Sequence, residues 1–240
     1  FVLIIISLYI QLKLEDTKAF KELESLKEES PSEKKVIKSS PILEAIRKYP
    51  QRISLAAGAF LSVQVTFYIL IAFLLAYGVE TTDFNRDDLL MAVLIGSAIM
   101  VPTQFYFSAY SDRNGRKGVF MAGAALTALW AFAIFPLMAS GSFILAVIAI
   151  AVGLTFLGMM YGPQAAFFAE LFSTEVRYSG ASLGYQLGAI IGGSFAPIIA
   201  TLLWKNYDIF WVSVYIAFAS ILSLISVYML TETFQKDLND

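Results

Sequence analysis

Six long runs, at 53–79, 89–110, 118–139, 143–168, 178–204 and 209–230, contain no Asp, Glu, Lys or Arg. At about 1.5 Å per residue, each is long enough as a helix to cross a hydrocarbon layer of about 30 Å. Lipid offers the backbone no hydrogen-bonding partner, so only helices or closed barrels span it. These runs are too long and too uniformly apolar for barrel strands. The chain is therefore read as an all-α membrane protein. Composition agrees: 58% of residues are hydrophobic and only 15% charged, against about 25% charged in soluble domains.

The chain has no cysteine and no histidine. That excludes disulfides, thiol catalysis, sulfur- or imidazole-ligated metals and Ser-His-Asp triads. No metal, no cofactor, no nucleic-acid partner and no enzymatic activity are expected.

The rest of the chain divides by charge. Residues 1–12, FVLIIISLYIQL, are apolar but too few to span, where about 20 are needed. They are read as the end of a transmembrane helix whose beginning is missing. Residues 13–52 are rich in Lys, Glu and Ser. They are read as a cytoplasmic linker, with helical charge spacing at Lys18/Glu22 and Glu24/Lys27 and a flexible middle over 28–38. Ser40-Pro41 is a helix-start signal. Ile42, Ala45, Ile46 and Tyr49 then follow at helical spacing, as in a short helix lying on a membrane surface. A solvated connector is the plainer reading. Residues 53–230 form the six-helix unit and 231–240 a short tail.

Of the 17 Lys and Arg, fifteen fall in alternate loops on one side, leaving Arg86 and Lys205 on the other. Lys and Arg accumulate in cytoplasmic loops. Both ends of the six-helix unit are then expected in the cytoplasm of a cell-membrane (plasma or inner-membrane) protein.

Uncharged polar residues do occur at depth: Gln64 and Tyr68 on one face of the first span, Gln104, Tyr161, Gln164 and Tyr185. Burying such groups costs about 1–3 kcal/mol without a partner. They are expected to face other helices or a polar cavity; as a set they favour a cavity. Gly180, Gly184, Gly188 and Gly192 recur every four residues and form a strip along which another backbone can approach closely. Static packing and a sliding surface both fit. Gly162-Pro163 and Pro197, with Pro102 and Pro136, interrupt helical hydrogen bonds. The turn SDRNGRK holds Asp112, Arg113, Arg116 and Lys117 around Gly115, and ELFSTEVR places Glu170 and Arg177 on the same side. These loops are read as a charge cluster locking one conformation, or as topogenic charge alone.

SDRNGRK resembles the D-R-x-G-R-K loop motif of the major facilitator superfamily. Ser108 stands where that family usually has glycine, and Tyr110 where it has an aliphatic residue. The stretch 161–197, YGPQAAFFAELFSTEVRYSGASLGYQLGAIIGGSFAP, is similar to the tenth and eleventh helices of the metabolite:proton symporters. LEDT at 14–17 and LTET at 230–233 resemble that family's motif at the ends of its sixth and twelfth helices. The resemblance implies the C-terminal six-helix bundle of a major facilitator fold, two inverted three-helix repeats, with the N-terminal half absent. It implies a gate at Asp112, Arg113, Gly115 and Arg116 partnered by Glu170 and Arg177. It also implies a cavity lined by the first, second, fourth and fifth spans.

The expected function is proton-coupled uptake of a small organic acid or zwitterion by alternating access. The partners would be that solute, protons, the lipid bilayer and the N-terminal half. With no ionisable residue inside any span, a proton-coupling group would lie in that other half. A facilitator or exporter of the same fold, and a non-transporting sensor, remain as alternatives.

Overall fold

The computed structural model describes residues 2–13 and 41–232. The charge-spaced segment, the flexible linker, the Ser40 cap, LEDT and the end of the tail lie outside the described residues. The chain divides into two units, Phe1–Ser40 and Pro41–Asp240. The first contributes α1, Val2–Lys13, an apolar helix. The second contains α2 (Pro41–Lys48) and six membrane-length helices: α3 (Pro50–Thr81), α4 (Arg86–Asn114), α5 (Arg116–Ala139), α6 (Phe143–Glu170), α7 (Arg177–Asn206) and α8 (Ile209–Met229). Among the described residues every regular element is helical.

The helices run two to four residues past several ends of the apolar runs, because polar residues cap them. Asn85 accepts from the Asp88 N–H at 2.8 Å and Asp88 accepts from the Asn85 N–H at 3.3 Å. This reciprocal cap, with Asp87 and Asp88 in the first turn, starts α4 at Arg86. Gly115, at φ +100°, separates α4 from α5; that conformation favours glycine. The Asp208 carboxylate accepts from the Ile209 N–H at 2.6 Å and starts α8.

Two helices contain a π-turn: α3 at Ile69–Phe73 and α7 at Ala189–Ser194. Such turns occur mostly as single insertions in α-helices, frequently at functional sites. Both lie in spans that carry cavity candidates.

The packing is ordered. α7 lies on α3, α3 on α8, α8 on α5, α5 on α6, and α6 on α4, with α3 also touching α6. Exchanging α3–α5 with α6–α8 maps this set of pairs onto itself. The bundle is thus two three-helix repeats. An odd number of crossings makes the second repeat opposite in direction to the first.

Small residues bring the helices together. Between α3 and α8 the Ser62 and Ser220 hydroxyls lie 2.8 Å apart, the Ser62 N–H donates to Ser223 Oγ at 2.8 Å, and Ser223 donates to the Gly58 carbonyl at 2.8 Å. Each bond satisfies a polar group that lipid cannot. The core around Phe60, Phe120 and Phe167 is completely buried. Helix α2 seats Ala45 in this core and leaves Ile42 and Ile46 exposed.

Candidate functional site: a polar cavity and a charged latch

Two cavities open on one face of the bundle. The first, about 290 Å³, is lined by Gln64, Phe67 and Tyr68 of α3, Met100 of α4, Tyr161 of α6 and Tyr185 of α7, among others. The second, about 250 Å³, lies between α6 and α7 and is lined by Tyr161, Gln164, Phe168, Ser182, Tyr185 and Gln186, among others. Tyr161 and Tyr185 border both, so the two form one continuous wall. The Tyr185 ring rests on Phe60, centroids 4.2 Å apart. Tyr68, in the turn before the α3 π-turn, packs its ring over Gly193 inside the α7 π-turn. A side chain at 193 would displace that ring.

Five of the six cavity candidates, Gln64, Tyr68, Tyr161, Gln164 and Tyr185, therefore line one wall. Gln104 does not line either cavity. Its backbone carbonyl faces Gly162, where an added Cβ would come within 2.8 Å of it. The same Cβ would lie 3.1 Å from the Ser108 nitrogen. A small residue at 108 thus serves the close approach of α4 to α6.

The glycine row lies against α3. A Cβ at Gly184 would come within 2.7 Å of Ala56 Cβ, one at Gly188 within 2.8 Å of the Ala57 carbonyl, and one at Gly192 within 3.0 Å of the Leu61 carbonyl. Gly180 instead faces the ring of Phe172. The row is a helix–helix contact that sets how deeply Tyr185 reaches into the cavity.

At the end of the bundle that carries Asp112, Arg116 joins three elements. Its Nη1 donates to Asp112 Oδ1 at 2.5 Å, while Nε and Nη2 grip Glu170 at 2.8–2.9 Å. Arg116 and Glu170 are only 14% and 20% exposed, Asp112 55%. The Arg116–Glu170 fork is therefore the strong member, and the Asp112 pair contributes about 0–1 kcal/mol. Arg113 is exposed. Arg177 does not join the fork. It donates to the Phe172 carbonyl at 3.4 Å and to Thr174 Oγ1 at 3.3 Å, holding its own loop.

Three residues enlarge the latch beyond the sequence-based set. The Glu232 carboxylate accepts from the N–H groups of Arg116 at 3.3 Å and Lys117 at 3.1 Å, at the N-terminus of α5. Negative charge is favoured there. Gly115 is needed for this too, since a Cβ would lie 3.1 Å from Glu232 Oε2. Lys117 in turn donates to the carbonyls of Tyr228 at 2.7 Å and Leu230 at 2.8 Å, closing the end of α8. The N-terminus of α5 and the C-terminus of α8 thus cap each other. Arg52 of α3 donates to the Leu171 carbonyl at 2.6 Å, tying the loop after α6 to α3. LTET at 230–233 was the signal for Glu232; Arg52 and Lys117 carry no sequence signal beyond their charge.

The chain has known relatives. The inner membrane metabolite transport protein YhjE of Escherichia coli K12 is 32% identical over 245 residues, which is 99% of this chain and 53% of that protein. The shikimate transporter of E. coli K12 is 29% identical over 209 residues, 82% of this chain and 45% of that protein. The chain thus spans about half the length of the curated relatives it matches. Six membrane-length helices, together with these relatives, mark a multi-pass membrane protein. The model of the Major Facilitator Superfamily matches residues 1–183, and with it covering most of the chain, the chain belongs to that superfamily.

Proposed function

We propose that this chain forms the C-terminal six-helix half of a metabolite:proton symporter that takes up a small organic acid or zwitterion by alternating access. The observation that carries the reading is the wall of Gln64, Tyr68, Tyr161, Gln164 and Tyr185 around the two cavities. Phenols and amides at membrane depth bind small polar solutes through hydrogen bonds and ring faces. The names of the relatives as metabolite and shikimate transport proteins support it. In this reading the latch end faces the cytoplasm, as the Lys and Arg distribution indicates. The Arg116–Glu170 fork holds the bundle in one of its two conformations and releases it in the other.

The spans contain no ionisable acid or base in their interiors, so the proton site belongs to the half of the transporter outside this chain. That same observation favours a second reading, a facilitator without coupling. Uptake of labelled shikimate, proline and glycine betaine into vesicles carrying the protein separates the two. The symport reading predicts accumulation that rises with an inward proton gradient and collapses with a protonophore. Uptake that only equilibrates, regardless of the gradient, establishes the facilitator.

A further inference from the structure

We propose that the cavity between α6 and α7 is the subsite for the hydrogen-bond-donating end of the solute, an O–H or N–H group, and that Gln164 selects for it. This deepens the transporter reading and rests on it. Gln164 is 3% exposed, borders the 250 Å³ cavity, and its Oε1 accepts no hydrogen bond. Most buried carbonyl oxygens are paired, and one that is not marks a missing donor. The hydroxyls of Tyr161, Ser182 and Tyr185 border the same cavity, yet none donates to it.

The surroundings decide what the missing donor is attached to. No charged side chain borders the cavity; Ala165, Phe168 and Ala181 supply apolar walls. A carboxylate placed here would bring only acceptors to an acceptor and lose its hydration with no cation in return. A hydroxyl or ammonium group supplies the donor, and the phenol faces of Tyr161 and Tyr185 accommodate either. An organic acid or zwitterion is therefore held with its donor end at Gln164 and its carboxylate directed away from this cavity.

The test compares solutes that differ only in the donor. The protein in nanodiscs is titrated with shikimate against 1-cyclohexene-1-carboxylate, and with proline against cyclopentanecarboxylate. Wild type should prefer the donor-bearing member of at least one pair by about tenfold or more. Gln164→Met, similar in length but without the amide, should bring that member down to its analogue while retaining thermal stability. Binding of both pairs without preference overturns the subsite and leaves the transporter reading standing. A preference that survives Gln164→Met also overturns it. Absence of binding by all four solutes overturns it together with the proposed solute class. The wild-type comparison requires no variant to fold.

Discussion

Gly188→Leu is expected to prevent the protein from accumulating as a folded species, and Gly188→Ala to lower its stability by about 1–3 kcal/mol. The added Cβ meets the Ala57 carbonyl and Phe60 Cβ, both at 2.8 Å. Neither can yield cheaply. The carbonyl belongs to the hydrogen-bonded ladder of α3, and Phe60 is fully buried. Relief requires α7 to move off α3, which opens the row at Gly184 and Gly192 and withdraws Tyr185 from its seat on Phe60. Gly118→Ala is the control, because nothing lies within 4 Å of a Cβ there and alanine favours a helix by about 1 kcal/mol. Heating the detergent-solubilised variants and following the monodisperse fraction measures both. Wild-type stability in Gly188→Leu would remove close packing as the role of the row.

The second large effect is on turnover. Arg116→Gln should slow transport by about tenfold or more while changing solute affinity little. The reasoning begins with burial. The fork to Glu170 is charge-assisted and mostly shielded from water, so its loss costs about 2–3 kcal/mol in the conformation that contains it. A change of that size shifts a two-state equilibrium by roughly 30- to 150-fold. The solute wall is on different residues, so KM should move less than kcat. Asp112→Asn should have the smaller effect, since Asp112 is more than half exposed. Initial rates and binding constants measured on the same preparations check the ordering. Unchanged turnover in Arg116→Gln would remove the latch from the mechanism.

The sequence specifies some levels of this structure well and others poorly. Span positions follow from uncharged runs, because the cost of a charge in lipid is large and local. The helix ends differ by a few residues because Asn85, Asp88 and Asp208 are capping groups rather than loop residues. The Asp112–Arg116 pair is legible from spacing, being four residues apart across one turn. Arg177 is not, since residues 171–176 leave the helix and break any periodic relation to Glu170. Glu232 reaches Arg116 across 116 positions, and Arg52 reaches Leu171 across 119. Such pairs are fixed by how the helices pack, which no local pattern encodes. The π-turns belong to the same class: ILIAF carries no helix breaker, yet its helix shifts register in the bundle. Gln164 shows the difference most clearly. Its depth is readable from its span, but its unpaired oxygen depends on neighbours contributed by α7.

The central claim is that the Gln64–Tyr68–Tyr161–Gln164–Tyr185 wall faces water and solute rather than lipid. The chain contains no cysteine, so single substitutions report without background from it. Ser182→Cys and Tyr68→Cys sample the wall; Leu129→Cys on α5 and Phe218→Cys on α8 sample strongly exposed positions on the opposite helices. The measurement is the rate of modification by a charged, water-soluble methanethiosulfonate in intact membranes. The account predicts rapid reaction at 182 and 68, slowed by transported solute, and little at 129 and 218. Reaction at 182 and 68 no faster than at 129 and 218 would contradict it.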